Sequence, residues 1–150
     1  MKIPERLETK RLILRPHSEE DINEFLDSYK FADPGFSLVI SNKENDAYLG
    51  TCGLKPIRNS RCLGCVYALI PEFRGNGFAI EAMLKLMEYA FIKLNIPKIV
   101  AYIHPDNNHG WKVAERIGMK YMGHVQHNGF ISKAMLLTIK KEEYLVQRSY

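Results

Sequence analysis

Pro71-Glu72-Phe73-Arg74-Gly75-Asn76-Gly77-Phe78-Ala79 joins an unbroken apolar run, Val66-Tyr67-Ala68-Leu69-Ile70, to a long stretch with helical periodicity. A run apolar at every position reads as a strand covered on both faces, placed centrally in a sheet. Ala79, Met83, Leu86, Met87, Ala90, Phe91 and Leu94 then recur as one wide helical stripe, ended by Asn95 and Pro97. Glycines between a buried strand and a helix remove Cβ atoms, so successive N–H groups can converge where the helix dipole adds about half a positive charge. The segment therefore reads as a phosphate cradle. It lacks the Gly-Lys-Ser/Thr of a Walker loop and the third glycine of a dinucleotide fingerprint.

The remaining elements surround this unit. Arg11–Arg15 is a short β-type run ending at Pro16. Ser18 can cap a helix whose apolar residues are Ile22, Phe25, Leu26 and Tyr29, and Asp33-Pro34-Gly35 breaks it. Phe36–Ile40 and Tyr48–Ile57 read as a hairpin about Asn42–Asp46, and Arg58–Arg61 turns the chain into the strand Cys62–Ile70. Lys98–Ile103 is a strand, Asn108–Ile117 a helix stopped by Gly118, and Met119–Gln126 a strand. His127-Asn128-Gly129 turns into a last strand, Phe130–Lys140, and Lys141–Gln147 makes a short terminal helix at most. The order β-α-β-β-β-α-β-α-β-β specifies an α/β (α+β) domain with a mixed sheet.

A chain of 150 residues with 46% hydrophobic residues is one domain's worth, 1–150, and can bury a core without staples. Charges of both signs are interspersed, so the net +4 does not imply a nucleic-acid partner. The apolar runs are far shorter than the ~18 residues of a membrane span. Three cysteines, Cys52, Cys62 and Cys65, suit a reducing compartment, and a cytoplasmic location is expected. Cys62-Leu63-Gly64-Cys65 has no second pair, and residues three apart on a strand point to opposite faces, so no metal site is expected. His124 and His127, together with His104 and His109, show no ligand spacing and read as surface histidines.

The cradle resembles the pyrophosphate loop of the GNAT superfamily of N-acetyltransferases, whose Arg/Gln-x-x-Gly-x-Gly/Ala pattern is met by Arg74, Gly77 and Ala79. Thr9–Pro16 with Glu20-Asp21 looks like the opening of the branch that acetylates ribosomal proteins. Tyr67–Gly77, Glu81-Ala82, and His104–Asn107 through Trp111–Met119 are similar to its later motifs. The resemblance implies a GNAT fold, a mixed, mostly antiparallel sheet whose central strands Cys62–Ile70 and Lys98–Ile103 splay apart to admit acetyl-CoA. It places the pantetheine arm on Leu69, Ile70 and Asn107, and the pyrophosphate on Arg74, Gly75, Asn76, Gly77, Phe78 and Ala79. Trp111 would pack under the arm, and Lys112 and Arg116, four apart on one helix face, could meet the phosphates.

The implied activity is transfer of acetyl to a primary amine, a protein N-terminus or a small amine, by direct attack in a ternary complex. Such chemistry is helped by a base for the ammonium and an acid for the leaving thiolate. Counting back from Pro71, the position where many relatives carry glutamate is Gly64; the serine after the asparagine motif is Gly110, and the position of a tyrosine acid is Ala114. Tyr67, His104 and Glu72 are the substitute catalytic candidates, and positioning alone, with water carrying protons, is the other route. An acyl-CoA-binding regulatory domain without catalysis is the alternative. The chain between Tyr29 and Phe36 is short where relatives have a second helix, which implies an open acceptor site or one completed by a homodimer.

Overall fold

The computed structural model describes residues 2–18, 35–127 and 132–149. The helix expected from Ser18 to Tyr29 and the turn at Asn128-Gly129 lie outside these residues. Among the described residues the strands are β1 (Leu7–Glu8), β2 (Leu12–Arg15), β3 (Phe36–Asn42), β4 (Tyr48–Pro56), β5 (Leu63–Leu69), β6 (Lys98–Ile103), β7 (Lys120–Val125) and β8 (Ala134–Lys140). The helices are α1 (Phe78–Glu88), α2 (Asn108–Arg116) and α3 (Lys141–Arg148). One sheet runs in the order β1-β2-β3-β4-β5-β6-β8-β7. Every pairing is antiparallel except β5 with β6. This is the expected mixed, mostly antiparallel sheet with helices beside it.

The parallel pair is short. Leu63 pairs with Ile99 and Gly64 with Val100, and there the ladder ends, although β5 continues to Leu69 and β6 to Ile103. The two strands therefore splay into a gap whose apex is at Gly64 and Val100. This also corrects the reading of β5 as covered on both faces: Val66 is 45% exposed, beyond the point where the β5–β6 ladder ends.

Alternation sorts the side chains to two faces. Leu63, Cys65 and Leu69 of β5 and Ile99, Ala101 and Ile103 of β6 join one core with Met83, Leu86 and Met87 of α1 and Val113 and Ala114 of α2. Gly64, Val66, Val100 and Tyr102 point the other way. The α1 stripe does not stay α-helical to Leu94; from Tyr89 to Lys93 it widens into a π turn, with Leu94 N–H bonded to Tyr89 C=O at 3.0 Å. That turn sets Phe91 against Tyr144 of α3, ring centroids 4.9 Å apart. The terminal segment is thus a full helix docked on the core, with the Glu143 carboxylate accepting the Lys140 N–H at 2.9 Å as its cap.

Two strands differ from the sequence reading. β1, too short to show periodicity, is added beside β2. β8 begins at Ala134, with Ser132 and Lys133 outside it; Phe130, where the sequence reading began this strand, lies outside the described residues.

Candidate functional site

The cradle follows β5 directly. Pro71–Phe73 forms a single 3-10 turn, and the loop reaches α1 through Gly75 (φ 85°) and Gly77 (φ 77°), both left-handed. Side chains rarely adopt that backbone, which is why these two positions are glycines. Asn76 holds the turn from within, its side-chain amide donating to Phe73 C=O at 3.2 Å. The first turn of α1 borders a cavity of about 150 Å³, lined there by Gly75, Gly77 and Ala79, and the first N–H groups of a helix have no partner within it.

The opposite wall comes from α2. His109, Lys112, Val113 and Arg116 fall at i, i+3, i+4 and i+7, one face of the helix, and all four border the cavity. The sequence reading of His109 as a surface histidine is wrong. Its Nε2 is buried without a hydrogen-bond partner, and burial, aided by the Arg74 charge, holds its pKa below the ordinary histidine value. A buried ring nitrogen without a partner, facing cations and amide N–H groups, fits an anionic ligand such as a phosphate. Only the i, i+3, i+7 register with Lys112 and Arg116 could have marked it in the sequence.

A further cation stands at the mouth. The Arg11 guanidinium lies 4.5 Å from the Phe78 ring centroid, and its Nε donates to Glu81 at 2.7 Å. Glu81 also accepts the Arg11 N–H at 2.9 Å and the Thr9 hydroxyl. Burial works to raise the Glu81 pKa, but these bonds and the Arg11 charge outweigh it and hold the carboxyl below its ordinary range. Glu81 thus ties the segment before β2 to the first turn of α1.

The gap between β5 and β6 carries the other expected residues. Antiparallel pairing with β4 turns alternate peptide groups of β5 toward the gap. Ile70 is not among these: its N–H donates to Leu49 C=O and its C=O accepts the Phe73 N–H, both at 2.9 Å. Leu69 and Tyr67 present theirs to the gap, and unpaired peptide groups there need a partner. A second cavity, about 220 Å³, lies between Tyr67, Tyr102, His104, Asn107 and Gly110.

Tyr67 crosses this gap, its hydroxyl donating to Gly110 C=O at 2.6 Å. Burial, reinforced by Cys65, pushes its pKa far above the ordinary tyrosine value, so the phenol keeps its proton. Asn107 caps α2, accepting the Gly110 N–H at 2.9 Å. A Cβ at Gly110 would lie 2.6 Å from the Asn107 amide nitrogen, so any side chain there displaces the cap. His104 is 47% exposed, and its Nδ1 accepts the Asp106 N–H at 3.1 Å. Glu72 is exposed on the turn before the cradle and borders neither cavity. Trp111 packs partly on the core, with its indole N–H donating to Asn108 at 3.2 Å.

A third cavity, about 510 Å³, opens on the opposite face of the sheet at the apex of the gap. It shares Cys65, Val66 and Tyr102 with the gap cavity. The two therefore lie on either side of the same residues, where β5 and β6 part.

A cradle, a splayed parallel pair and a cavity behind it describe a known architecture, and residues 8–120 match the model of the acetyltransferase (GNAT) domain. The chain belongs to the GNAT acetyltransferase family. It is 32% identical over 116 residues to an uncharacterized N-acetyltransferase, p20, of Bacillus licheniformis, covering 73% of this chain and 63% of that one. The chain spans between 44% and 63% of the length of these and other curated relatives that it matches. Its fold is that of a spermidine N-acetyltransferase from Vibrio cholerae solved with CoA and spermine (TM-score 0.73, 21% identity, 91% of this chain and 99% of that one). It is also that of an acetyltransferase from Agrobacterium tumefaciens (TM-score 0.75, 24% identity, 93% and 95% covered). Among the described residues, no helix of this GNAT domain is long and apolar enough to cross a membrane, and no group of three or more His, Cys, Asp or Glu forms a metal site. Cys52 and Cys65 are buried free thiols pushed up to about 12, chiefly by burial.

Proposed function

We propose that the protein transfers an acetyl group from acetyl-CoA to a primary amine by direct attack. The observation that carries this reading is the gap between β5 and β6, which starts at the anion cradle and ends at a cavity on the other face. Acetyl-CoA supplies the activated acetyl group. Gly75–Ala79 and Arg74, with His109, Lys112 and Arg116, would hold its phosphates; Leu69, Tyr67 and Asn107 would bind the amide-bearing arm. Trp111 flanks the arm from α2. A dry gap that aligns amine and thioester supplies much of the rate, since orientation alone is worth roughly 7–11 kcal/mol.

The acceptor class is a primary amine, and polyamines are among the candidates because a relative in fold is solved with spermine. A protein N-terminus is the second candidate, on the likeness of Thr9–Pro16 to the ribosomal-protein branch. Gly64, Gly110 and Ala114 leave three customary catalytic positions without functional side chains, and that observation favours a binding domain without turnover as the second reading. A partner subunit that completes the acceptor site belongs to the same proposal, and sedimentation with and without acetyl-CoA tests it.

Thermal unfolding with acetyl-CoA, CoA and ATP in parallel tests the binding. A ligand at 100 times its Kd stabilises by about 2.7 kcal/mol, a shift of several degrees for a domain of this size. A shift with both CoA species and none with ATP supports the proposal; none with any of them overturns it. Appearance of an acetylated amine then separates the enzyme from the binding domain.

A further inference from the structure

We propose that His127 is the general base of acetyl transfer, taking the proton of the acceptor amine on the face of the sheet opposite the cradle. The inference rests on the acetyltransferase reading and adds the residue that this reading lacks.

An amine attacks through its nitrogen lone pair and must shed a proton to become an amide. The group that takes it has to stand where the acceptor meets the apex of the gap. That place is the cavity behind the sheet, bordered at the apex by Gly64 and Val100 and farther out by Lys55, Arg58, Tyr102 and His127. His127 lies flat on Tyr102, ring centroids 3.7 Å apart and planes within 5°. Tyr102 in turn borders both this cavity and the gap, so the stack holds the imidazole in the cavity, against a residue that reaches the gap.

The other titratable groups around this cavity do not serve. Lysine and arginine side chains are donors without an acceptor, which removes Lys55 and Arg58. Cys65 is a buried thiol pushed up to about 12 by desolvation, and strand alternation turns its side chain to the helix face. The groups facing His127 are Lys55 from β4, Arg58 from the turn after it and Tyr102 from β6; among the described residues no carboxylate borders the cavity. Burial and the Lys55 charge lower the pKa of His127 below the ordinary histidine value, so the imidazole is neutral near pH 7.

His104, the histidine favoured by sequence, borders the gap cavity and not the cavity behind the sheet. Gly64 matters as well. With no side chain at the apex, the space between β5 and the Tyr102–His127 stack stays open to an acceptor.

In the step, the amine nitrogen bonds to the carbonyl carbon and the carbon–sulfur bond breaks with its electron pair on sulfur. The nitrogen's proton passes to His127, and the imidazolium returns it through water to the CoA thiolate. A neutral amine and acetyl-CoA thus become an N-acetyl amine and CoA thiol, with nothing oxidised or reduced.

The test compares the full chain with His127→Gln and His127→Ala, using spermidine and a short peptide with a free N-terminal serine at saturating acetyl-CoA. Wild type is expected to show an acid limb in kcat/KM below the ordinary histidine value. Both variants should lose about a hundredfold or more in kcat and lose that limb. Thermal stabilisation by CoA should be unchanged, and added imidazole should restore part of the His127→Ala rate. A variant kcat within about threefold of wild type, or a loss that keeps the acid limb and resists imidazole, overturns the proposal while leaving the acetyltransferase reading intact. Wild type that acetylates neither amine overturns both.

Discussion

The Tyr67 hydroxyl spans the gap between β5 and α2 to donate to the Gly110 carbonyl at 2.6 Å, while the N–H of the same residue donates to Asn107 at 2.9 Å. One tyrosine therefore sets the distance between the open edge of β5 and the first turn of α2. Its proton is committed to a structural bond. Tyr67→Phe is expected to lower stability by about 1 kcal/mol, read from the denaturant midpoint, with kcat falling less than tenfold. A much larger loss of kcat at unchanged stability would show instead that the phenol serves the leaving sulfur.

Gly77→Glu should abolish binding of CoA and leave a folded protein. The substitution forces a side chain onto a backbone of φ 77° and puts a carboxylate at the first turn of α1, with an ideal Cβ already 3.4 Å from Arg11. The strain costs on the order of 1 kcal/mol, which a domain of this size tolerates. Circular dichroism checks the fold and calorimetry the binding; wild-type affinity in the variant would remove the phosphates from this loop.

His109 makes CoA binding depend on pH. Without ligand its pKa is lowered by burial and by Arg74, so the ring is neutral near pH 7. A phosphate at Nε2 favours the protonated form, so the complex binds more protons than the free protein and affinity rises as pH falls from about 8 to 6. His109→Gln should flatten that rise. Phosphate protonation is common to both proteins, so the difference between their Kd profiles isolates the histidine; identical profiles would place His109 outside the site.

The Glu81 network stabilises the fold at neutral pH. Its carboxyl is held below the ordinary value of 4.5, so its contribution is complete above that value and disappears as pH falls through the lowered one. Glu81→Gln is expected to lower Tm at pH 7 and to converge with wild type as pH falls through the lowered Glu81 pKa, where the wild-type carboxylate is itself protonated. Equal Tm values at pH 7 would show that Thr9 and Arg11 find other partners.

What could be read from the chain is local. The left-handed glycines 75 and 77, the α1 stripe and the Asn107 cap are carried by residues within a few positions of one another, and nearest-neighbour geometry fixes them. The resemblance of Arg74, Gly77 and Ala79 to the GNAT loop is local as well. The same locality explains the misreadings: Val66 was assigned a covered face because five apolar residues in a row do not reveal where a neighbouring strand departs. His109 and His127 both read as surface histidines, since neither shows ligand spacing.

Tertiary structure decided the rest, through contacts between residues far apart in sequence. Arg11 meets Glu81 only because β2 lies across the start of α1, and Tyr67 reaches Gly110 only because β5 and β6 part. The sheet alone distinguishes His109, half-buried on the cavity beside the cradle, from His127, laid on Tyr102 at the other face. Hydrophobic periodicity specifies which face of an element is buried, and says nothing of which polar groups two distant elements will bring together; that pairing exists only once the strands have taken their order in the sheet.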